Sequence, residues 1–190
     1  MFFKKKISIY LFFSLTMFLG FIFEENSSGG AKIDHEYLLP FIDKLYLDFD
    51  LGLNNFLNNS GSLIHSPIFY ILVSFFYKIT GSLFVTKISY LILSLYLPFL
   101  FYLILSEKYK NSDQIIFYLT FLIFLSPYFR SSAIWLLGDN LSLIFFSSSI
   151  LFLLRHEQSK EKTKYIFLSI CFLAACCYVR YYYCVFFIYF

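Results

Sequence analysis

The chain has 190 residues, of which 59% are hydrophobic, 24% aromatic and only 14% charged, which is more apolar side chain than one soluble core of this size hides. A net charge of +3 with neither a basic face nor a base-reading motif argues against a nucleic-acid partner. Lipid is therefore the expected solvent for most of the chain, and part of the Phe and Tyr excess is what an AT-rich genome produces.

In chain order, Lys4, Lys5 and Lys6 precede the apolar run "ISIYLFFSLTMFLGFIF" at 7–23. Bulky Phe21, Ile22 and Phe23 run directly into Glu24 and Glu25 with no small-residue cleavage site, so the run reads as an uncleaved span with a cytoplasmic N-terminus. Residues 24–65 then lie outside. "NSSGGA" (26–31) is a flexible lead, and Pro40 begins or kinks a helix over about 40–50. Its apolar side is Phe41, Ile42, Leu45 and Phe49, with Asp43, Lys44 and Asp48 opposite. "NNFLNNSGS" (54–62) is a turn-rich break, after which "HSP" (65–67) opens a second helix over 66–79.

A helix of that length rises roughly 21 Å, short of the roughly 30 Å hydrocarbon core. Ser66, Tyr70, Ser74 and Tyr77 with Lys78 make a polar stripe on it, the pattern of a helix lying in the interface. Charge counting tests this reading independently. An interfacial 66–79 leaves Lys4, Lys5, Lys6, Lys108, Lys110, Arg155, Lys160, Lys162 and Lys164 inside, nine of the 15 basic residues, whereas a spanning one leaves seven. Further spans are expected over 84–105, 112–129, 133–154 and 165–180. The end in apolar sequence at Phe190 suggests a truncated chain or the opening piece of a larger protein. The expected fold is thus all-α, a polytopic membrane bundle with two interfacial helices in its first outer loop. Cys171, Cys176, Cys177 and Cys184 share one apolar stretch in a spacing that fits neither zinc nor a disulfide framework, and read as small lipid- or core-facing residues.

The polar residues of interest fall near span ends. Asp34 and Glu36 follow the first span by some ten residues, where a low-dielectric wall raises a carboxylate's proton affinity and makes it a base or ligand. A helix cap or solvated loop is the plainer alternative for both. His65 is a cap or a ligand. Arg130 follows Pro127, and Asp139 is expected about two turns into the next helix, where a charge costs about 2.5–3.5 kcal/mol on insertion scales and so faces a polar cavity. Arg180 sits at the outer end of the last complete span. Both arginines could equally snorkel.

The single N-terminal span, the acidic residue soon after it, "HSPIFYILVSFFYKITG" and "RSSAIWLLGDNLSLIFFSSSILFLLR" together resemble the N-terminal part of polytopic C-type-fold glycosyltransferases, closest to the protein mannosyltransferase and aminoarabinose transferase-like family. The resemblance implies transfer of a sugar from a polyprenyl-phosphate carrier to a protein, lipid or glycan acceptor at the outer face, in a bacterial inner membrane. It implies that Asp34 is the catalytic base or helps position the acceptor and a divalent metal. The chain departs from the family pattern where His35 separates Asp34 from Glu36 and where Ser66 replaces a proline after His65. Arg130 and Asp139 would line the cavity, and Arg180 would meet the carrier phosphate. Two other classes compete: a non-catalytic membrane fragment or assembly subunit, and a transporter, although the ionisable groups cluster toward span ends rather than mid-span.

Overall fold

The computed structural model describes residues 2–58, 66–110, 112–158 and 162–189, and among them every regular element is helical. Ten α-helices follow in order: α1 Phe2–Ile22, α2 Ala31–Leu47, α3 Phe49–Asn58, α4 Ile68–Thr80, α5 Leu83–Ser94, α6 Tyr96–Lys108, α7 Asp113–Phe121, α8 Pro127–Ile134, α9 Gly138–Gln158 and α10 Lys162–Val179. Short 3₁₀ turns at Leu122–Leu125 and Tyr181–Tyr189 complete the described chain.

Several boundaries differ from the sequence expectation, each for a local reason. Pro40 neither starts nor breaks its helix, because α2 begins nine residues earlier and carries Pro40 inside it. The expected turn-rich break is helical as far as Asn58, while 59–62 lies outside the described residues. The expected span 84–105 is α5 and α6, which read together as one apolar helix, Leu83–Lys108. The Pro98 ring opposes the carbonyl four residues back, so the ladder changes pattern at Leu95. The Tyr10 hydroxyl donates to the Leu95 carbonyl at 2.6 Å, occupying an acceptor at that break.

The expected span 112–129 is bent. α7 and its 3₁₀ turn end at Ser126, which caps α8 by accepting from the Phe129 amide, and Pro127 supplies the first turn of a helix inclined at 61°. The next helix starts at Gly138 rather than 133, after a junction in which buried Leu136 adopts φ +57°. That is a costly backbone state for a branched side chain. Its neighbours hold it: Tyr90 and Ser132 both donate to the Leu137 carbonyl, and the Leu141 amide donates back to Tyr90 at 3.2 Å.

Among the described residues Leu83–Lys108 is the one helix long and apolar enough to cross a membrane. The bent pair Asp113–Leu125 and Pro127–Ile134 is a second candidate, and Lys6–Ile22, Ile68–Thr80 and Thr163–Val179 are apolar over shorter stretches. Polarity is arranged from the inside outward. Ser94, Ser131, Ser142, Ser149 and Ser169 are buried, whereas Leu11, Phe12, Leu15, Ile92, Leu119, Phe167 and Ile188 face out. α9 and α10 pack most extensively, and small residues let them approach: Ser169 donates to the Ser149 carbonyl at 2.6 Å. α4 follows the same rule in part. Of its expected polar stripe Tyr70 and Ser74 are buried, Ser66 and Tyr77 half-buried and Lys78 exposed, while Leu72, Phe75, Phe76 and Ile79 also face out. Phe49 is likewise exposed rather than on the packed side.

Two opposite ends emerge from the long-range contacts. Lys6 pairs with Asp113 at 2.5 Å, Tyr102 donates to Asp113 at 2.6 Å, and Arg155 meets Glu107 at 3.3 Å, which gathers the start of α1, the ends of α6 and α9, and the start of α7. Roughly 24 Å along α1 lies the other end. There Glu25, α8, the start of α9 and the end of α10 meet. Both ends of α4 lie on that second side: Phe69 neighbours Gly138, and Thr80 meets Thr86 at 2.9 Å beside the start of α5. α4 does not traverse the bundle.

Candidate functional site

The second end carries most of the residues singled out in the sequence. α2 lies across it because Ala31, His35, Leu38, Ile42 and Leu45 recur at spacings of four and three, burying one stripe. His35 is the polar member of that stripe. It is 3% exposed, its ring stands 5.9 Å from Trp135, and its Nε2 has no hydrogen-bond partner. Burial, assisted by the Lys87 ammonium, pushes its pKa down to about 4, so His35 is neutral at physiological pH.

Asp34 and Glu36 flank His35 on an α-helix and therefore diverge by about 160° around its axis. Both are exposed. Asp34 turns toward the α4 side, where its charge raises the proton affinity of the Tyr70 hydroxyl. Burial is the main cause of that shift, which takes Tyr70 up to about 12, and Asp139 and Arg180 also act on it. Glu36 instead acts on Lys32 and Lys87, on the Trp135 side. The two candidate carboxylates thus belong to different surroundings.

Arg130 and Asp139, expected to line one cavity, are also parted. Arg130 donates Nε to Glu25 at 2.7 Å and a second, shorter bond from Nη2 to the other carboxylate oxygen. Its remaining donors reach Thr16 at 3.3 and 3.2 Å. The bidentate fork ties the end of α1 to α8 and holds the Glu25 carboxyl below the usual carboxylate range, since the charged form accepts these bonds. Trp135 completes the junction by donating Nε1 to the Glu25 carbonyl at 2.8 Å. Ser27 and Ser28 close onto Ser131 at 3.2 and 3.0 Å.

Asp139 lies in the first turn of α9 rather than two turns in, where the helix dipole favours its charge, and Arg180 reaches it at 2.8 Å. This pair of expected site residues is brought together. Arg180 is well shielded, its side chain 12% exposed, while Asp139 is 40% exposed. Tyr70 and Tyr182 lie within electrostatic reach of both. His65 lies outside the described residues. A groove of about 440 Å³ lies between α4, α5 and α9, lined by Phe69, Leu72, Phe76, Leu93, Leu136 and Phe145, and none of Asp34, Tyr70, Asp139 and Arg180 is in its wall.

The arrangement therefore offers an exposed carboxylate, a buried phenol and a carboxylate-held guanidinium, with an apolar groove between α4, α5 and α9. Asp34 and Glu36 point apart, and among the described residues no three His, Cys, Asp or Glu side chains converge to hold a metal ion. All four cysteines are free and Cys176 is buried. Sequence reasoning missed Glu25, His35, Tyr70, Lys87 and Trp135. Of these, His35 was findable from the four-and-three spacing it shares with Leu38 and Ile42, whereas Glu25 gives no local signal of a partner 105 residues away. Searches against protein-family models, curated proteins and solved structures find no match for this chain.

Proposed function

We propose that the chain is part of an integral membrane glycosyltransferase that moves a sugar from a polyprenyl-phosphate carrier to an acceptor hydroxyl or amine at the outer face of the membrane. The observation that carries this reading is the gathering of Asp34, Tyr70, Asp139 and Arg180 at one end of the bundle, where two of the helices that carry them, α4 and α9, also wall an apolar groove. The apolar exterior over a serine-rich interior supports a lipid surround, and the grouping of Lys6 and Arg155 at the opposite end supports a cytoplasmic N-terminus.

The chemistry assigns one task to each group. Asp34, exposed to water and carried on the helix that crosses this end, accepts the acceptor's proton as its oxygen or nitrogen attacks the anomeric carbon. The bond to the carrier phosphate breaks with its electron pair on the phosphate oxygen, and Arg180 stabilises that charge. Asp139 holds the guanidinium in place before the phosphate arrives. Tyr70, neutral over the physiological range, is a hydroxyl donor to the leaving group or the sugar.

The test is Asp34→Asn in the protein as its cell encodes it, with transfer of radiolabelled sugar from the native lipid-linked donors as the readout. A fall of about 100-fold or more with unchanged expression is expected for loss of a general base. Retained transfer removes Asp34 from the mechanism. A wild-type protein that neither transfers sugar nor retains carrier lipid on purification favours a non-catalytic membrane component instead.

A further inference from the structure

A second constellation stands on the other side of α2, away from Asp139 and Arg180. Trp135 is fixed by its bond to the Glu25 carbonyl, and two ammonium groups lie over its ring, Lys87 Nζ at 4.9 Å and Lys32 Nζ at 5.1 Å from the centroid. The acids around them are mostly committed. Glu24 pairs with Lys32 at 2.8 Å, Glu25 with Arg130, and exposed Glu36 acts on both lysines only at a distance. Lys87 is half-buried, and among the described residues it makes no ion pair or hydrogen bond. Glu24, already paired with Lys32, attracts it from a distance and Lys32 repels it across the indole, so the two ammonium groups share one close carboxylate and an anion beside Lys87 still meets an excess of positive charge.

The surroundings show what sort of anion fits. Lys87 and Trp135 open into a cleft of about 360 Å³ whose other walls are Phe21, Ile22, Phe84, Ile134 and Glu24, the last with its carboxylate drawn to Lys32. Ile22 and Phe84 continue onto the exposed apolar flanks of α1 and α5. A polar floor with one uncommitted cation, leading to apolar flanks at the level of an interfacial indole, suits an amphiphile rather than a free ion.

The geometry points to a binding site for the phosphate of an anionic phospholipid in the outer leaflet, with Lys87 as its principal cation, Lys32 as the second, and the first acyl carbons against Phe21, Ile22 and Phe84. This inference rests on the membrane reading above but not on sugar transfer. The bound lipid would brace the α1, α5 and α8 junction on the side opposite the proposed reaction site.

Trp135 is the single tryptophan of the chain, which makes it a direct reporter. The full chain in nanodiscs of phosphatidylcholine is titrated with phosphatidylglycerol brominated near the ester end, and separately with equally brominated phosphatidylcholine. The expected result is a preference of about fivefold for quenching by phosphatidylglycerol, abolished in Lys87→Gln and kept in Lys87→Arg. Far-UV circular dichroism confirms that each variant is folded. If Lys87→Gln does not fold, Lys32→Gln decides, with a reduced but measurable preference expected. Equal quenching by the two lipids overturns the site while leaving the membrane reading intact. Loss of the preference on adding inorganic phosphate shows a site for the free ion and overturns the lipid assignment. A chain that stays in water, unquenched by either lipid, overturns the membrane reading and the site with it.

Discussion

The Arg130–Glu25 fork is the contact whose removal should be felt most. Arg130→Gln deletes the two bonds to Glu25 and the two to Thr16, and leaves a carboxylate at the end of α1 with only Ser27 nearby to support it. Breaking one partner of a fully buried pair costs about 3–5 kcal/mol. With side chains 17% and 25% exposed, the loss here is expected at about 2–3 kcal/mol. The assay is unfolding in mixed micelles followed by Trp135 fluorescence, since the indole is bonded to the Glu25 backbone. Glu25→Gln and the double variant close a cycle, with a coupling of about 2 kcal/mol expected because the second substitution removes a partner already lost. A pH series adds a sign. The folded Glu25 pKa lies below its unfolded value, so its contribution is complete above the unfolded pKa and is lost as the pH falls through the folded one. Arg130→Gln should weaken that acid dependence. Single losses under about 0.5 kcal/mol, or additivity within that margin, would refute the view that the fork holds α1 to α8.

His35 should produce a separate acid transition. Its folded pKa of about 4 lies below the ordinary 6.5, so the unfolded state takes up the proton first and stability falls as the pH drops from about 6.5 to about 4, by roughly 3 kcal/mol. His35→Phe should remove that slope while leaving neutral-pH stability unchanged or higher, because Nε2 has no partner to lose; thermal unfolding in detergent across pH measures both. Gly52 presses α3 onto α2, and a Cβ there would lie 2.7 Å from the Leu45 Cα and N. Gly52→Ala should therefore cost about 1–3 kcal/mol, read as faster proteolysis between α3 and α4.

The all-helical fold was legible because apolar runs and proline positions dictate helix locally, and α1, α9 and α10 begin and end near where hydropathy changes. The break at Ser126 and the junction at Leu136 were not. The junction depends on hydrogen bonds from Tyr90 and Ser132 that no local pattern encodes, and the break rests on the Ser126 cap and Pro127, which mark a helix start without giving its direction. The direction of Tyr70 and Ser74 in α4's polar stripe was misread for a physical reason: amphipathicity states that two faces differ, and which one turns inward depends on whether the surroundings are water or lipid. At the site, Asp139 and Arg180 were each recognisable as charges placed near span ends. Their pairing was not, nor was the bond of Arg130 to Glu25, which lies 105 residues away.

The distance along the chain between partners has a consequence for biogenesis. Glu25 meets Arg130 105 residues later, and the Glu25 carbonyl meets Trp135 110 residues later. At a synthesis rate of about 5–20 residues per second, the segment after α1 waits roughly 5–20 s before its anchors exist. During that interval α2 rests on α3 and α4, which follow it directly, while Ala31 and His35 at its start lack the α8 side and Trp135 that they pack against. The junction of α1, the start of α2 and α8 therefore closes only after α8 has been made, and it is left open if translation stops before that helix.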